Sequence, residues 1–192
     1  MLFIIDDKLY PTIISAISAI IMAVTSYYVF GHIKSRIEAW LNPWKYISDK
    51  SYQVTQSLFA IASGGLVGTG LYLGYPKFIP AVHTDFIFSA ICEEVGIISG
   101  IIIVLILCMV TIIGLNYSKN SKKTLNKLIC LGLSSITGIQ TLIIVSGVLN
   151  IVPITGITLP FVSYGGSSLI SQTINVSLLY FINMKENGEN DE

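Results

Sequence analysis

Long uncharged apolar windows alternate with short polar stretches along this chain, and those windows set the elements. The first runs from Leu9 to Gly31, and the second from Val95 to Ser118 with an upstream extension over Phe86–Cys92. From Leu128 to Met184 there is no Asp, Glu, Lys or Arg. Pro153 and Pro160 divide that run, because proline ends or kinks a helix and pushes the preceding residue towards extended geometry. A helix crosses a hydrocarbon core ~30 Å thick with about 20 residues, and every window is that long. The pattern therefore predicts an all-α fold, a polytopic helical membrane protein with about four transmembrane helices over 9–31, 86–116, 127–151 and 162–184. The whole chain, 1–192, reads as a single integral membrane unit without an internal repeat.

The segment 32–85 is a long loop that holds most of the polar chemistry. It opens with His32, Lys34, Arg36 and Glu38, followed by Trp40 and Trp44 around Asn42-Pro43. Tryptophans at this spacing suit a membrane interface. Val54–Ala62 has helical character and breaks at Gly64-Gly65, with Gly68 and Gly70 following. The glycines and Pro76 favour a re-entrant or interfacial helix over a full crossing at 54–73. Irregular backbone at membrane depth survives only against protein or a water-filled cavity, so this stretch is expected to line a cavity.

Composition agrees with the pattern: the chain is 53% hydrophobic and 11% charged, with mean hydropathy +0.74, against about 25% charged residues in soluble domains. Net charge is zero, which implies no nucleic-acid partner. Cys92, Cys108 and Cys130 lie in or beside apolar segments without metal-ligand spacing, and read as small buried hydrophobes. The first apolar stretch is too long for a cleaved signal peptide and reads as a signal anchor.

Charge nearly balances between the two sides. With the N-terminus inside, Lys8, Lys119, Lys122, Lys123, Lys127 and Lys185 face Lys34, Arg36, Lys45, Lys50 and Lys77 of the loop. The compact Lys119–Lys127 cluster is the cleaner cytoplasmic signal and puts the 32–85 loop outside. The loop cations then suit either an anionic lipid headgroup or diphosphate, or a merely solvated loop.

Asp85 is the group that asks for chemistry. In His83-Thr84-Asp85-Phe86-Ile87-Phe88 it stands where a polar loop becomes an apolar helix, and a carboxylate there is costly unless it faces water, a partner or a substrate. The plain alternative is that Asp85 favours the positive end of the helix dipole, with Thr84 as N-cap. On one continuous helix Glu93 would lie about 80° around from Asp85 and Glu94 about 180°, both about 12–14 Å deeper. Glu93 is then the carboxylate able to share Asp85's face, whereas Glu94 favours structural pairing. His83 suits a proton carrier or a polar interface residue. Gln56 and Ser57 suit a substrate contact or a cap for the loop helix. Gly165-Gly166-Ser167-Ser168 permits close helix packing.

These residues resemble the SEDS family, which contains FtsW, RodA and SpoVE. The resemblance is carried by Tyr52–Leu58, by Gly64, Gly65, Gly68 and Gly70, by Ile79-Pro80 through Phe88, by Glu93-Glu94-Val95-Gly96, and by Pro153–Ser168. It covers about 36–184 and matches the last four of the family's ten transmembrane helices, so the chain looks like the C-terminal half of such a protein: a fragment, a split gene or a truncated frame. Tyr72 departs from the pattern, standing where the family often has glycine.

The resemblance implies a peptidoglycan glycosyltransferase that polymerises lipid II outside the bacterial cytoplasmic membrane during division, elongation or sporulation. It implies a class B penicillin-binding protein as partner, and a separate N-terminal SEDS half beside membrane lipids. Asp85 matches the family's catalytic acidic position, as general base or as the holder of a divalent cation, Mg2+ or Mn2+. Arg36, Gln56, Ser57, Lys77, His83 and Glu93 are the expected substrate-binding residues. Alternatives are a transporter (flippase) of lipid-linked precursor and a non-catalytic scaffold that binds a penicillin-binding protein.

Overall fold

The computed structural model describes residues 9–188, and Lys8 of the charge comparison lies outside them. The described residues are helical with intervening turns, and fall into two compact units that divide after Ser51.

The first unit contains α1 (Leu9–Val29), α2 (Gly31–Leu41) and a short 3-10 turn at Pro43–Tyr46. Helix α1 is long and apolar enough to cross a membrane over Thr12–Val29, and its Ile side chains with Tyr10 and Tyr28 are exposed, as lipid contact requires. After α2 the chain folds back on itself: Lys50 Nζ meets Glu38 Oε2 at 2.9 Å, and the Ser51 hydroxyl donates to the Ala39 carbonyl at 3.4 Å. Trp44 is exposed and Trp40 half-buried.

The second unit contains α3 (Tyr52–Gly64), a 3-10 turn at Pro76–Phe78, α4 (Ile87–Val95), α5 (Ile97–Asn120), α6 (Thr124–Val148) and α7 (Gly166–Gly188). Helix α3 ends at the glycine pair, as its sequence predicts. Its 13 residues make about 20 Å, short of a ~30 Å crossing. Helices α5 and α6 are long and apolar enough to span. They pack antiparallel on small residues: a Cβ at Gly114 would collide with Ser134 Oγ, and one at Gly138 would come within 2.7 Å of Thr111 Cγ2. Small residues of this kind let helix backbones approach closely in a bilayer.

The helix expected over 86–116 is two helices. Gly96 breaks it with φ +96 and ψ 164, a conformation that L-residues rarely adopt. The loop after α3 enters the gap. Ile97 N–H donates to Gly65 O at 3.0 Å, Thr69 N–H to Glu93 O at 2.9 Å and Gly70 N–H to Glu94 O at 3.0 Å. The break thus frees backbone groups of α4 and α5 that the loop then satisfies, which is the condition for irregular backbone inside a membrane protein.

Three described helices pass as spans by length and hydropathy. The fourth expected span, α7, has 23 residues but carries polar side chains that bond to α6. Asn175 Nδ2 donates to Thr137 Oγ1 at 3.0 Å, Gln172 Nε2 to Gln140 Oε1 at 3.0 Å, and Gln140 Nε2 to the Thr158 carbonyl at 2.8 Å. Close packing at the start of α7 is not found, since a Cβ on Gly166 would meet nothing within 4 Å. Instead Thr158 Oγ1 donates to Ser168 Oγ at 2.8 Å. At its far end α7 docks back through Glu186, which accepts from Asn126 Nδ2 at 2.6 Å and from Lys122 N–H at 3.1 Å.

The core of this unit gathers Ala60, Ile79, Phe86, Phe88, Cys92, Leu107, Ile144, Val148 and Leu159. Cys130, Leu179 and Ile182 form a second cluster. All three cysteines are free thiols; Cys92 and Cys130 are buried and Cys108 half-buried.

Candidate active site around Asp85

The approach to α4 is a tight turn. Ala81 has φ +56, and the Thr84 N–H and hydroxyl both donate to its carbonyl, each at 3.1 Å. Thr84 therefore does not cap the helix. The N-cap is Phe86, which makes no side-chain cap bond and is 1% exposed in the core. Asp85 precedes the cap and is half-buried. Because the helix starts only at Ile87, the rotation assumed between Asp85 and the two glutamates does not hold.

The glutamates take different parts. Glu93 is 6% exposed, and its Oε1 accepts the Tyr75 N–H at 2.9 Å. Its Oε2 is buried with no hydrogen-bond partner among the described residues. Glu93, the carboxylate able to share Asp85's face on a continuous helix, holds the 70–75 loop instead. Glu94, expected to pair structurally, lines an open cavity of about 890 Å³ together with Lys77, His83, Tyr75, Ile87 and Ile91. Ile87, Ile91, Glu94 and Val95 share one helical face by their i, i+4, i+7 and i+8 spacing, which explains why Glu94 rather than Glu93 reaches this space.

Asp85 faces a different and much smaller cavity, formed by Ile143, Gly147, Ile154, Thr155, Gly156 and neighbours at the end of α6 and the loop after it. The structure thus brings Lys77 and His83 together with Glu94, and sets Asp85 on the other side of the same turn. Ser57 is fully buried: it pairs with Ser89 Oγ at 2.6 Å and reaches the Val148 carbonyl at 3.4 Å, tying α3, α4 and α6 together. It lines neither of these two cavities and, lying inside α3, does not cap it. Gln56 is half-buried on α3 and lines neither cavity. Arg36 is exposed on α2 of the first unit.

Asp85 offers one carboxylate, and Thr155 lines the same space. Among the described residues no group of three His, Cys, Asp or Glu side chains is arranged to hold a metal. This donor set fits Mg2+ or Mn2+ when phosphate oxygens of a ligand complete the shell, which is how Mg2+ is commonly held.

Three features were not read from the sequence. The Gln140–Gln172–Asn175 ladder sits in the uncharged run, where only its amide side chains signalled it. Glu94 was assigned away from the cavity because one continuous helix was assumed. Tyr72 has φ +63 and is 94% exposed. The backbone there is one that glycine adopts freely, so the residue departs from the pattern while the conformation keeps to it.

A family model described as cell cycle protein, FtsW/RodA/SpoVE, matches residues 1–188. The chain is 40% identical over 156 residues to the peptidoglycan glycosyltransferase RodA of Mycobacterium bovis, covering 81% of this chain and 33% of that one. It is 38% identical over 164 residues to the probable peptidoglycan glycosyltransferase FtsW of Bacillus subtilis, covering 82% and 41%. It is 38% identical over 146 residues to stage V sporulation protein E of the same organism, covering 75% and 40%. A solved structure described as structural coordination of polymerization and crosslinking by a peptidoglycan synthase complex superposes with TM-score 0.69 at 20% identity, over 96% of this chain and 52% of that one. The chain thus spans about a third to two fifths of the length of these curated relatives. With nearly every residue inside the family match, this chain belongs to the FtsW/RodA/SpoVE family of membrane proteins.

Proposed function

We propose that the chain is the acid-bearing, C-terminal part of a peptidoglycan glycosyltransferase that polymerises lipid II on the outer side of the cytoplasmic membrane. The observation that carries the reading is Asp85, a half-buried carboxylate held on an ordered turn between two cavities. The names of the relatives at 38–40% identity supply the reaction class.

The chemistry follows from these positions. Asp85 takes the proton of an acceptor sugar hydroxyl as that oxygen attacks the anomeric carbon of the donor. The new glycosidic bond forms while the bond to the lipid diphosphate breaks, and the electron pair leaves on the diphosphate. Lys77 and His83 line the neighbouring cavity and offset that charge. Two residues of backbone separate His83 from Asp85, at most about 7 Å; the cavity on the Asp85 side, about 10 Å³, has room for a hydroxyl or a water, and the headgroup lies on the Lys77 side. In the alternative role Asp85 would hold a divalent cation, which would supply further charge neutralisation.

The positive-inside bias supports a sidedness. The Lys119–Lys127 cluster lies at the end of α5 away from the Asp85 turn, and α5 itself is 24 residues long, about 36 Å at 1.5 Å per residue. The cluster is the cytoplasmic end by the positive-inside bias, which puts Asp85 outside. A class B penicillin-binding protein is the proposed partner, in keeping with the description of the peptidoglycan synthase complex, one chain of which shares the fold over 52% of its length.

The test is reconstitution of the chain in vesicles with lipid II, alone and with the N-terminal portion of a matched relative. Asp85→Asn should lower strand synthesis by a factor of about 100 or more, while the folded protein is retained. Strands of unchanged yield and length from the Asp85→Asn protein would refute the assignment.

A further inference from the structure

The residue that holds Asp85 in place lies nearly eighty positions downstream. The Ser163 hydroxyl accepts the Leu159 N–H at 2.8 Å and donates to the Thr84 carbonyl at 2.6 Å. The next residue, Tyr164, donates its N–H to the His83 carbonyl at 2.8 Å. The two consecutive peptide groups that lead into Asp85 are thereby clamped to the loop before α7. A peptide group is planar, so fixing the Thr84 carbonyl also fixes the Asp85 nitrogen and Cα, the point from which the Asp85 side chain leaves the backbone.

Both sides of the clamp carry strain. Ala81 on one side and Phe161 on the other are non-glycine residues in the left-handed region, at φ +56 and φ +61. Such residues persist only where the surroundings over-determine them, and they collect at functional sites. The anchors on either side are buried: Phe86 and Leu159 are each 1% exposed. A loop held only for packing would need the anchors but not the hydroxyl bridge.

We propose that Ser163 is the positioning residue of the reacting carboxylate. It touches neither substrate nor cation; its hydroxyl sets the peptide that aims Asp85 into the cavity of Thr155 and Gly156. This rests on the reading of Asp85 given above, and the two fail separately.

The test uses the full chain in nanodiscs with 13C-carboxyl aspartate, the Asp85 signal being assigned with Asp85→Asn. Ser163→Ala removes both hydroxyl bonds but keeps the Tyr164–His83 backbone bond, so the loop stays attached. It should move and broaden the Asp85 signal, leave that of Asp49 in place, and speed hydrogen exchange at the Leu159 amide roughly five- to tenfold. Ser163→Thr, which keeps the hydroxyl, should restore both, and it decides the matter if the alanine variant misfolds. In vesicles where Asp85→Asn silences synthesis, Ser163→Ala should lower kcat at least about tenfold with KM little changed. An Asp85 signal that stays put in Ser163→Ala, or equal disturbance by Ser163→Thr, overturns the clamp. If Asp85→Asn leaves synthesis intact while the Asp85 signal still moves, the functional reading falls and the clamp stands.

Discussion

At the residue scale, neighbouring carboxylates acquire different roles from the backbone that carries them. Glu93 points into protein and holds the 70–75 loop by one backbone N–H, while Glu94 points into open space. Glu93→Ala should release that loop and cost about 1–3 kcal/mol, because the Tyr75 N–H loses its acceptor and a buried space is left. Glu93→Gln keeps an acceptor for Tyr75 and should cost much less. Denaturant or thermal unfolding of the two variants in detergent would separate them, and equal losses would count against the loop-holding role. The sequence made Asp85 legible, since a lone carboxylate at the edge of an apolar run needs an explanation. It could not rank Glu93 against Glu94, because that ranking depends on where a helix starts and breaks. Ser57 was misleading for the same reason: a serine on a polar-looking helix gives no sign that it will meet Ser89 in the core.

At the element scale, the long helices were legible because hydrophobic runs of about 20 residues have few other solutions. The break at Gly96 was not. A single glycine in an apolar run is tolerated in many helices, and only the loop inserted beside it, at 65–70, makes a break the better solution. The join between α7 and α6 makes its own prediction. Glu186 accepts from Asn126 in the first turn of α6 and from the Lys122 N–H just before that helix, and these bonds hold its carboxyl below the ordinary 4.5. A carboxylate whose folded value is depressed contributes stability that is complete above its unfolded value and lost as pH falls through the folded one. The α6–α7 join should therefore be intact at neutral pH and weaken below about pH 4.5. Hydrogen exchange at the start of α6 should accelerate there in the native chain. In Glu186→Gln it should be faster at neutral pH and lose that pH dependence; an unchanged profile would refute the link.

At the scale of the whole molecule, charge says little and polarity says much. Net charge is zero, yet the polar side chains of the second unit collect in a few places: the Asp85 turn, the Lys77 cavity, the lysines after α5, and the ladder between α6 and α7. The ladder has a consequence for how the protein is made. Helix α7 falls short of the hydropathy of a span because Gln172 and Asn175 weigh against it, and bare amides in hydrocarbon are costly. Beside α6 the N–H groups of those amides are already bonded, while Asn175 Oδ1 has no partner among the described residues. Helix α7 should therefore enter the bilayer as the second arm of a hairpin rather than by itself. In a translocation assay that scores which side a glycan tag reaches, α7 alone should insert poorly and α6–α7 together well. Gln140→Leu, which removes a rung from the first arm, should lower insertion of the second. Equal insertion of α7 with and without α6 would show that its own apolar residues suffice. If the hairpin enters as one piece, the loop bearing Ser163 crosses the membrane already attached to both arms, and the step that inserts α7 is also the one that brings the clamp to Asp85.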